Sequence, residues 1–528
     1  MKHIKKLASL LLALVMVFAL ATTAFAEETT YSITINNSTA GHTYEAYQIF
    51  TGDLSGTTLS NIKWGSSVSN AASLSDAATV AEKLDTNYTG TDKMTVADLL
   101  EMITLGTPAA DSGETSNPYV ISGLAAGYYL VKDKDGSLTG DNDSYTEYIV
   151  KVVGNVTATP KSSVPTVEKK VADTNDSTGV TSGWQDSADY DIGDSVPFQL
   201  KATLANNVSS YTTYKVVFHD TLSKGLTLNA TYDEGQNANV VTSGVTVKVG
   251  DADADKAANF VITAVKNADG TTTLTVSCDD VKALGAGNSS VITVEYTAKL
   301  NENAVLGSAG NPNKVYLEYS NNPNKSESGE KHETGKTPED TVIVFTYQTI
   351  INKVDSENKP LTGAAFKLEK LIKGKDGAAD TWTTVKEFTV DETTTSFTFS
   401  GLDDGQYKLT ETKTPAGYNT IDPIYFVIEA THDATADTPA LTVLKAYLTD
   451  ENGNKKTEVK DGETVNIDLG TVDLTAGSIT TTVVNKSGSE LPSTGGIGTT
   501  IFYVLGGVLV LAAVVLLVTK KRMSGAEK

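Results

Sequence analysis

The chain has 528 residues but a single cysteine, Cys278, and only five histidines. One cysteine excludes an intramolecular disulfide, so any covalent staple must use other side chains. Cys278 itself reads as a small buried residue rather than a reactive thiol. His3, His42, His219, His332 and His432 are scattered, with no metal-ligand spacing, and no metal or cofactor is expected. Nucleophile elbows and phosphate loops are missing, which argues against a hydrolase. Basic residues are few, 42 against 65 acidic, giving a formal net charge of −23. Such a surface repels phosphates and excludes nucleic acid as a partner. Long apolar runs occur only at the two ends.

The N-terminal run is preceded by a basic start, Met1 to Lys6, and followed by Ala24-Phe25-Ala26. Basic, apolar and small-x-small parts in this order predict a secretory signal peptide over 1–26. Near the other end stands Leu491-Pro492-Ser493-Thr494-Gly495, then an apolar segment over 497–519, then Lys520-Lys521-Arg522. The segment is long enough to span a bilayer as a helix, and its basic flank belongs in the cytoplasm. This arrangement resembles a Gram-positive cell-wall sorting signal. The resemblance implies that a sortase cuts between Thr494 and Gly495 and passes the Thr494 carbonyl to an amine, with peptidoglycan as the final anchor. Loss of both ends would leave 35 basic and 64 acidic residues, a net charge of −29.

Between the ends the patterning is β. Val196, Phe198, Leu200, Ala202 and Leu204 alternate with mostly polar residues, as do Ile292, Val294, Tyr296, Ala298 and Leu300. Period-two alternation with abundant Thr, Val and Tyr predicts an all-β chain of tandem immunoglobulin-like sandwiches. A helical insertion is expected around Ala77 to Leu84 and Val96 to Ile103. The acidic stretch Asp133 to Asp143 reads as a solvated turn, since Gly136 is out of register for an EF-hand loop. Length and the proline-bearing linker Thr159 to Pro165 suggest domains over 27–161, 162–347 and 348–488, followed by the sorting signal over 489–528. Gly123-Leu124-Ala125-Ala126-Gly127-Tyr128-Tyr129 echoes Gly401-Leu402-Asp403-Asp404-Gly405-Gln406-Tyr407, so the first and third domains are expected to share a fold.

Tyr407-Lys408-Leu409-Thr410-Glu411-Thr412-Lys413-Thr414-Pro415-Ala416-Gly417-Tyr418 resembles the E-box of major pilins, and Val315 to Tyr319 followed by Asn321-Asn322-Pro323 resembles their middle domain. The chain is similar throughout to the sortase-polymerised backbone pilins, built from collagen-adhesin A-type and B-type domains. The resemblance implies a B-type-like first domain, an A-type-like middle domain and a B-type third domain. It implies a structural subunit of a covalent surface pilus, with the sortase, identical subunits and minor pilins as partners, and leaves room for a host ligand. It also implies an acceptor lysine in a Tyr-Pro-Lys motif. Here Thr159-Pro160-Lys161 stands in that place, with threonine for tyrosine, and Lys161 is the expected acceptor; Lys151, Lys169 and Lys170 are its neighbours. A wall-anchored adhesin or tip pilin, displayed singly, is the rival reading and would need no such lysine.

Family members join a lysine amine to an asparagine amide inside a domain, assisted by an acid, and release ammonia. The amine must be neutral to attack, which burial favours, and burial likewise protonates a carboxyl so that it can polarise the amide carbonyl. All three residues must therefore face inward. Alternation selects Lys353, Glu411 and Asn485 in the third domain, each in phase with apolar neighbours; Lys367 is out of phase. In the second domain it selects Lys169, Asp220 and Asn313, with Lys170 as runner-up. Asp133 takes the place of Glu411 in the first domain, but the strand Tyr31 to Asn36 has no lysine, so no bond is expected there.

Overall fold

A computed structural model describes residues 29–488 except 38–39, 86, 114–116, 161–162, 234–236, 251–254, 324–325, 327–332 and 376, plus short pieces between 504 and 515. The expected signal peptide, Lys161 and the motif Leu491 to Gly495 lie outside the described residues, as does most of 497–519. Among the described residues no helix is long and apolar enough to cross a membrane.

The described chain is dominated by strands, as its alternation requires, and they pack as successive sandwiches. In the middle one, Ser195–Thr203 lies between Val291–Leu300 and Thr166–Val171, antiparallel to both. Val196, Phe198, Leu200 and Ala202 point into one core with Ile292, Val294 and Ala298. The facing sheet is larger. At its centre Val216–Leu222 pairs with Thr272–Cys278 on one side and Asn311–Ser320 on the other. Asp340–Phe345 continues that sheet, between Asn311–Ser320 and the short parallel strand Ser187–Asp189. Cys278 is part of this core.

The C-terminal sandwich begins two residues after Phe345. Tyr347–Val354 pairs in parallel with Ser478–Val484, so the first and last strands are neighbours, with Lys353 opposite Val483. Its second sheet carries the E-box strand Gly405–Lys413 between Ala365–Ile372 and Ile424–His432. The N-terminal sandwich repeats the first-to-last parallel pairing: Tyr31–Ile35 runs beside Val156–Ala158. The sequence echo has a matching structure. Gly123 and Gly401 both take left-handed φ, 79° and 77°, a conformation that glycine adopts without steric cost. Tyr129 and Tyr407 each donate their hydroxyl to the carbonyl four residues back, Ala125 at 2.9 Å and Asp403 at 3.0 Å. Each tyrosine thereby staples its own turn.

The helical insertion forms as two short helices, α1 (Ala77–Lys83) and α2 (Val96–Met102). Asp76 caps the first by accepting from the Thr79 amide, and Thr95 with Asp98 forms a capping box on the second. Val80, Ala81 and Leu99 bury against Tyr47, Ile49 and Phe50, giving the N-terminal sheet a second core on its outer face.

The acidic stretch Asp133 to Asp143 is exposed through Lys134, Asp135 and Gly136, as a solvated turn requires, but its two end residues are buried. The Asp143 carbonyl accepts from the Tyr319 hydroxyl at 2.9 Å, and its carboxylate accepts from Asn321 at 3.2 Å. The Asn142 amide donates to the Lys336 carbonyl and the Tyr145 amide to that of Asn321. The stretch is therefore glued to the middle sandwich. Isolated carboxylates would be costly there, but hydrogen-bonded ones are tolerated.

Candidate functional site: two buried lysine–acid–asparagine clusters

In the C-terminal sandwich Lys353, Glu411 and Asn485 converge although they stand 58 and 74 residues apart in sequence, the first two on strands and Asn485 just past the end of Ser478–Val484. Lys353 and Asn485 meet because the first and last strands run side by side. Glu411 reaches them from the facing sheet. Lys353 and Asn485 are fully buried. The Lys353 ammonium donates to the Asn485 side-chain carbonyl and, at 3.0 Å, to the Val483 carbonyl. The Asn485 amide nitrogen donates to Glu411 Oε2 at 3.1 Å, and Glu411 Oε1 lies 3.9 Å from Lys353 Nζ. Oε1 has no hydrogen-bond partner. Desolvation outweighs the attraction of Glu411 and brings the Lys353 pKa down to about 8.

In the middle sandwich Lys169, Asp220 and Asn313 are all fully buried. Lys169 Nζ donates to Asp220 Oδ1 at 2.7 Å and to the Tyr296 hydroxyl at 3.1 Å. That hydroxyl donates to Asp220 Oδ2 and accepts from the Asn313 amide at 2.8 Å. Burial pushes the lysine pKa down and the aspartate pKa up, and their mutual attraction opposes both. Lysine and asparagine are thus bridged by Tyr296, a residue the sequence reading assigned only to the core. An aromatic in phase on a strand carries no signal that its hydroxyl is used. The runner-up Lys170 is half-buried and pairs with Asp186 instead. Lys367 likewise pairs away, with Glu369 at 3.1 Å.

The N-terminal sandwich differs in kind. The buried Asp133 accepts the Thr146 amide at 2.7 Å and lies 2.6 Å from His42 Nδ1. An imidazole takes the place of an amine beside the acid.

A third buried lysine was not singled out from the sequence. Lys370 Nζ contacts Asp403, Asp191 at 2.7 Å and Asp176 at 3.3 Å, joining the C-terminal sandwich to the middle one. Those carboxylates overcome desolvation and raise its pKa, so it stays an ammonium. Burial alone does not make a nucleophile; the number of adjacent carboxylates decides.

Comparison with known proteins agrees with this architecture. Residues 192–323 match a family model described as Gram-positive pilin backbone subunit 2, Cna-B-like domain, where the sequence reading expected an A-type domain. Residues 348–440 match the SpaA prealbumin-like fold domain, and 483–524 match the LPXTG cell wall anchor motif. The trypsin-resistant surface T6 protein of Streptococcus pyogenes serotype M6 is 26% identical over 94% of this chain and 96% of its own length. The solved T6 backbone pilin of the same serotype superposes with a TM-score of 0.52 at 19% identity, covering 88% of this chain and 100% of that one. The full-length major pilin SpaD of Corynebacterium diphtheriae gives a TM-score of 0.46 at 17% identity, covering 88% and 99%. Pilin and anchor models matching in order along its length support a Gram-positive sortase-assembled backbone pilin, a structural subunit of a cell-wall-anchored surface pilus.

Proposed function

We propose that this pilin is polymerised through Lys161 and Thr494 and is clamped internally by two isopeptide bonds, Lys353–Asn485 and Lys169–Asn313. The observation that carries the clamps is the pair of buried amines with lowered pKa: Lys353 contacts the Asn485 carboxamide, which Glu411 also binds, and Lys169 contacts Asp220 and is joined to the Asn313 carboxamide through the Tyr296 hydroxyl. The Lys353 amine attacks the Asn485 side-chain carbonyl carbon. The new C–N bond forms, the bond to Nδ2 breaks, and ammonia leaves. Glu411 Oε1 faces the attacking nitrogen and Oε2 the leaving one. It can therefore carry the proton from one to the other. This differs from the sequence expectation of a carboxyl acting on the carbonyl oxygen. In the middle sandwich Asp220 receives the Lys169 proton, and Tyr296 relays it to the Asn313 nitrogen.

Only the neutral amine reacts, so closure of the Lys353 bond in freshly folded protein should speed up about tenfold per pH unit below pH 8 and level off above it. Mass spectrometry of refolding samples quenched at intervals measures this. A rate that does not change from pH 6 to 9 would contradict the neutral-amine step.

The proposed domains are 27–161, 162–347 and 348–488. In the sequence, Lys161 stands between the residues of the strand Val156–Ala158 and those of the strand Thr166–Val171. The neighbouring lysines are engaged: Lys151 donates to the Thr57 carbonyl at 2.7 Å, Lys169 is buried and Lys170 pairs with Asp186. Lys161→Ala should collapse the high-mass ladder of cell-wall extracts to monomer on denaturing gels. An intact ladder would favour another acceptor, and a wild type that never forms a ladder would favour the singly displayed adhesin or tip pilin. The sortase, peptidoglycan and minor pilins complete the set of proposed partners, and a host ligand would be read by exposed loops.

A further inference from the structure

The contact between the middle and C-terminal sandwiches holds a surplus of carboxylates, of which Asp189 and Asp403 are buried and Asp173, Asp176 and Asp191 partly so. Lys370 serves Asp176, Asp191 and Asp403. Asp173 and Asp189 have a different neighbour, His432, at the end of the strand Ile424–His432. Its Nε2 lies 3.4 Å from Asp173 Oδ2 and 3.7 Å from Asp189 Oδ1.

Hydrogen-bond accounting fixes what that ring can do. Ser187 Oγ donates its one proton to the Asp433 carbonyl at 2.8 Å. It can therefore only accept from His432 Nδ1, 2.7 Å away. The ring proton then sits on Nδ1, and a neutral ring would aim its Nε2 lone pair at two carboxylates. That arrangement is repulsive unless a cation lies between them. A proton on Nε2 gives an imidazolium, which burial opposes but the two carboxylates favour up to a pKa of about 9. Both separations nevertheless exceed the usual limit of about 3.2 Å for an N–H···O bond, which leaves room for a metal ion in that proton's place. The separations match the spacing of neighbouring ligands around a tetrahedral ion, about 3.4 Å for bond lengths near 2.1 Å. Serine on the far nitrogen is the kind of support that metal-binding histidines have. A separate sign of a missing partner is Tyr347, whose buried hydroxyl lies against Asp189 but makes no hydrogen bond of acceptable geometry.

We infer that Asp173, Asp189 and His432 form a divalent-cation site of the zinc class that pins the middle sandwich to the C-terminal one. Two carboxylates and a neutral imidazole bring a doubly charged ion to neutrality, which suits a buried position. The site was invisible to spacing rules because its histidine stands 243 residues from Asp189. It does not depend on either crosslink.

The test uses the whole mature protein, stripped with a chelator and titrated calorimetrically with Zn2+, with Ca2+ and Mg2+ as separate arms. One Zn2+ per chain is expected, with much weaker binding of the other two ions. Ser187→Ala should weaken binding about 10–100-fold. His432→Ala should abolish it, and His219→Ala, at a partly exposed histidine–glutamate pair, should not change it. Asp173→Asn keeps shape and hydrogen bonding, so loss of binding in that variant speaks even if His432→Ala misfolds. Stripped wild type that takes up no Zn2+, or equal uptake by Asp173→Asn, would overturn the site; tight Ca2+ with no Zn2+ would overturn its class.

Discussion

Stretched between Lys161 and Thr494, the Glu411→Ala protein should lengthen by about 430–470 Å more than wild type, because about 130 residues, 354–484, are released into the line of force. The reasoning starts from the strand order. Tension entering at Lys161 reaches Lys169 within eight residues and crosses to Asn313 through the first bond. It then runs through 314–352 and crosses from Lys353 to Asn485 through the second. The N-terminal sandwich lies outside this route, which fits its lack of a lysine beside Asp133. Residues 314–352 are the longest stretch left unprotected in wild type and can yield at most about 130–140 Å. They are held non-covalently, with Asn311–Ser320 flanked by Val216–Leu222 and Asp340–Phe345. The corresponding Asp220→Ala protein should release about 140 residues, 170–312, or about 470–515 Å. Single-molecule force spectroscopy with handles at the two joining residues reads these lengths. Wild type that unravels as far as Glu411→Ala would refute the route.

Heat should show the same clamp. Closing a loop of this size removes about 4–5 kcal/mol of unfolded-state entropy in the chain model. For a domain of this length that corresponds to about 10–20 °C in Tm. Glu411→Ala should therefore lower the C-terminal transition by about that amount in a calorimetric scan and leave the middle transition in place. A second effect adds to the loss: without Glu411 the buried Asn485 amide nitrogen loses one of its acceptors. Transitions that coincide in the two proteins would mean that no covalent loop existed to lose.

Much of the fold was legible because alternation on a strand is a direct record of which side faces the core. The phase of Val196 to Ala202 gave the sandwich, and the phases of Lys353, Glu411 and Asn485 placed all three inward, where the structure has them buried. The G-L-x-x-G-x-Y echo carried more than periodicity, because its glycine and tyrosine each perform a local task in both copies. What stayed hidden depends on contacts between elements far apart. Tyr296 looked like any core aromatic until its hydroxyl was placed between lysine and asparagine. Lys370 and His432 gain their carboxylates only when the middle and C-terminal sandwiches meet. Asp143 looked solvated because the chain that covers it, around Tyr319 and Asn321, lies more than 170 residues on.

Intact mass of the folded, processed protein puts the covalent chemistry to a direct test. Wild type should be lighter than its sequence by two ammonia molecules, while Glu411→Ala and Asp220→Ala should each be lighter by one. A wild-type mass equal to the sum of its residues would contradict both clamps, and with them the route of force through the subunit.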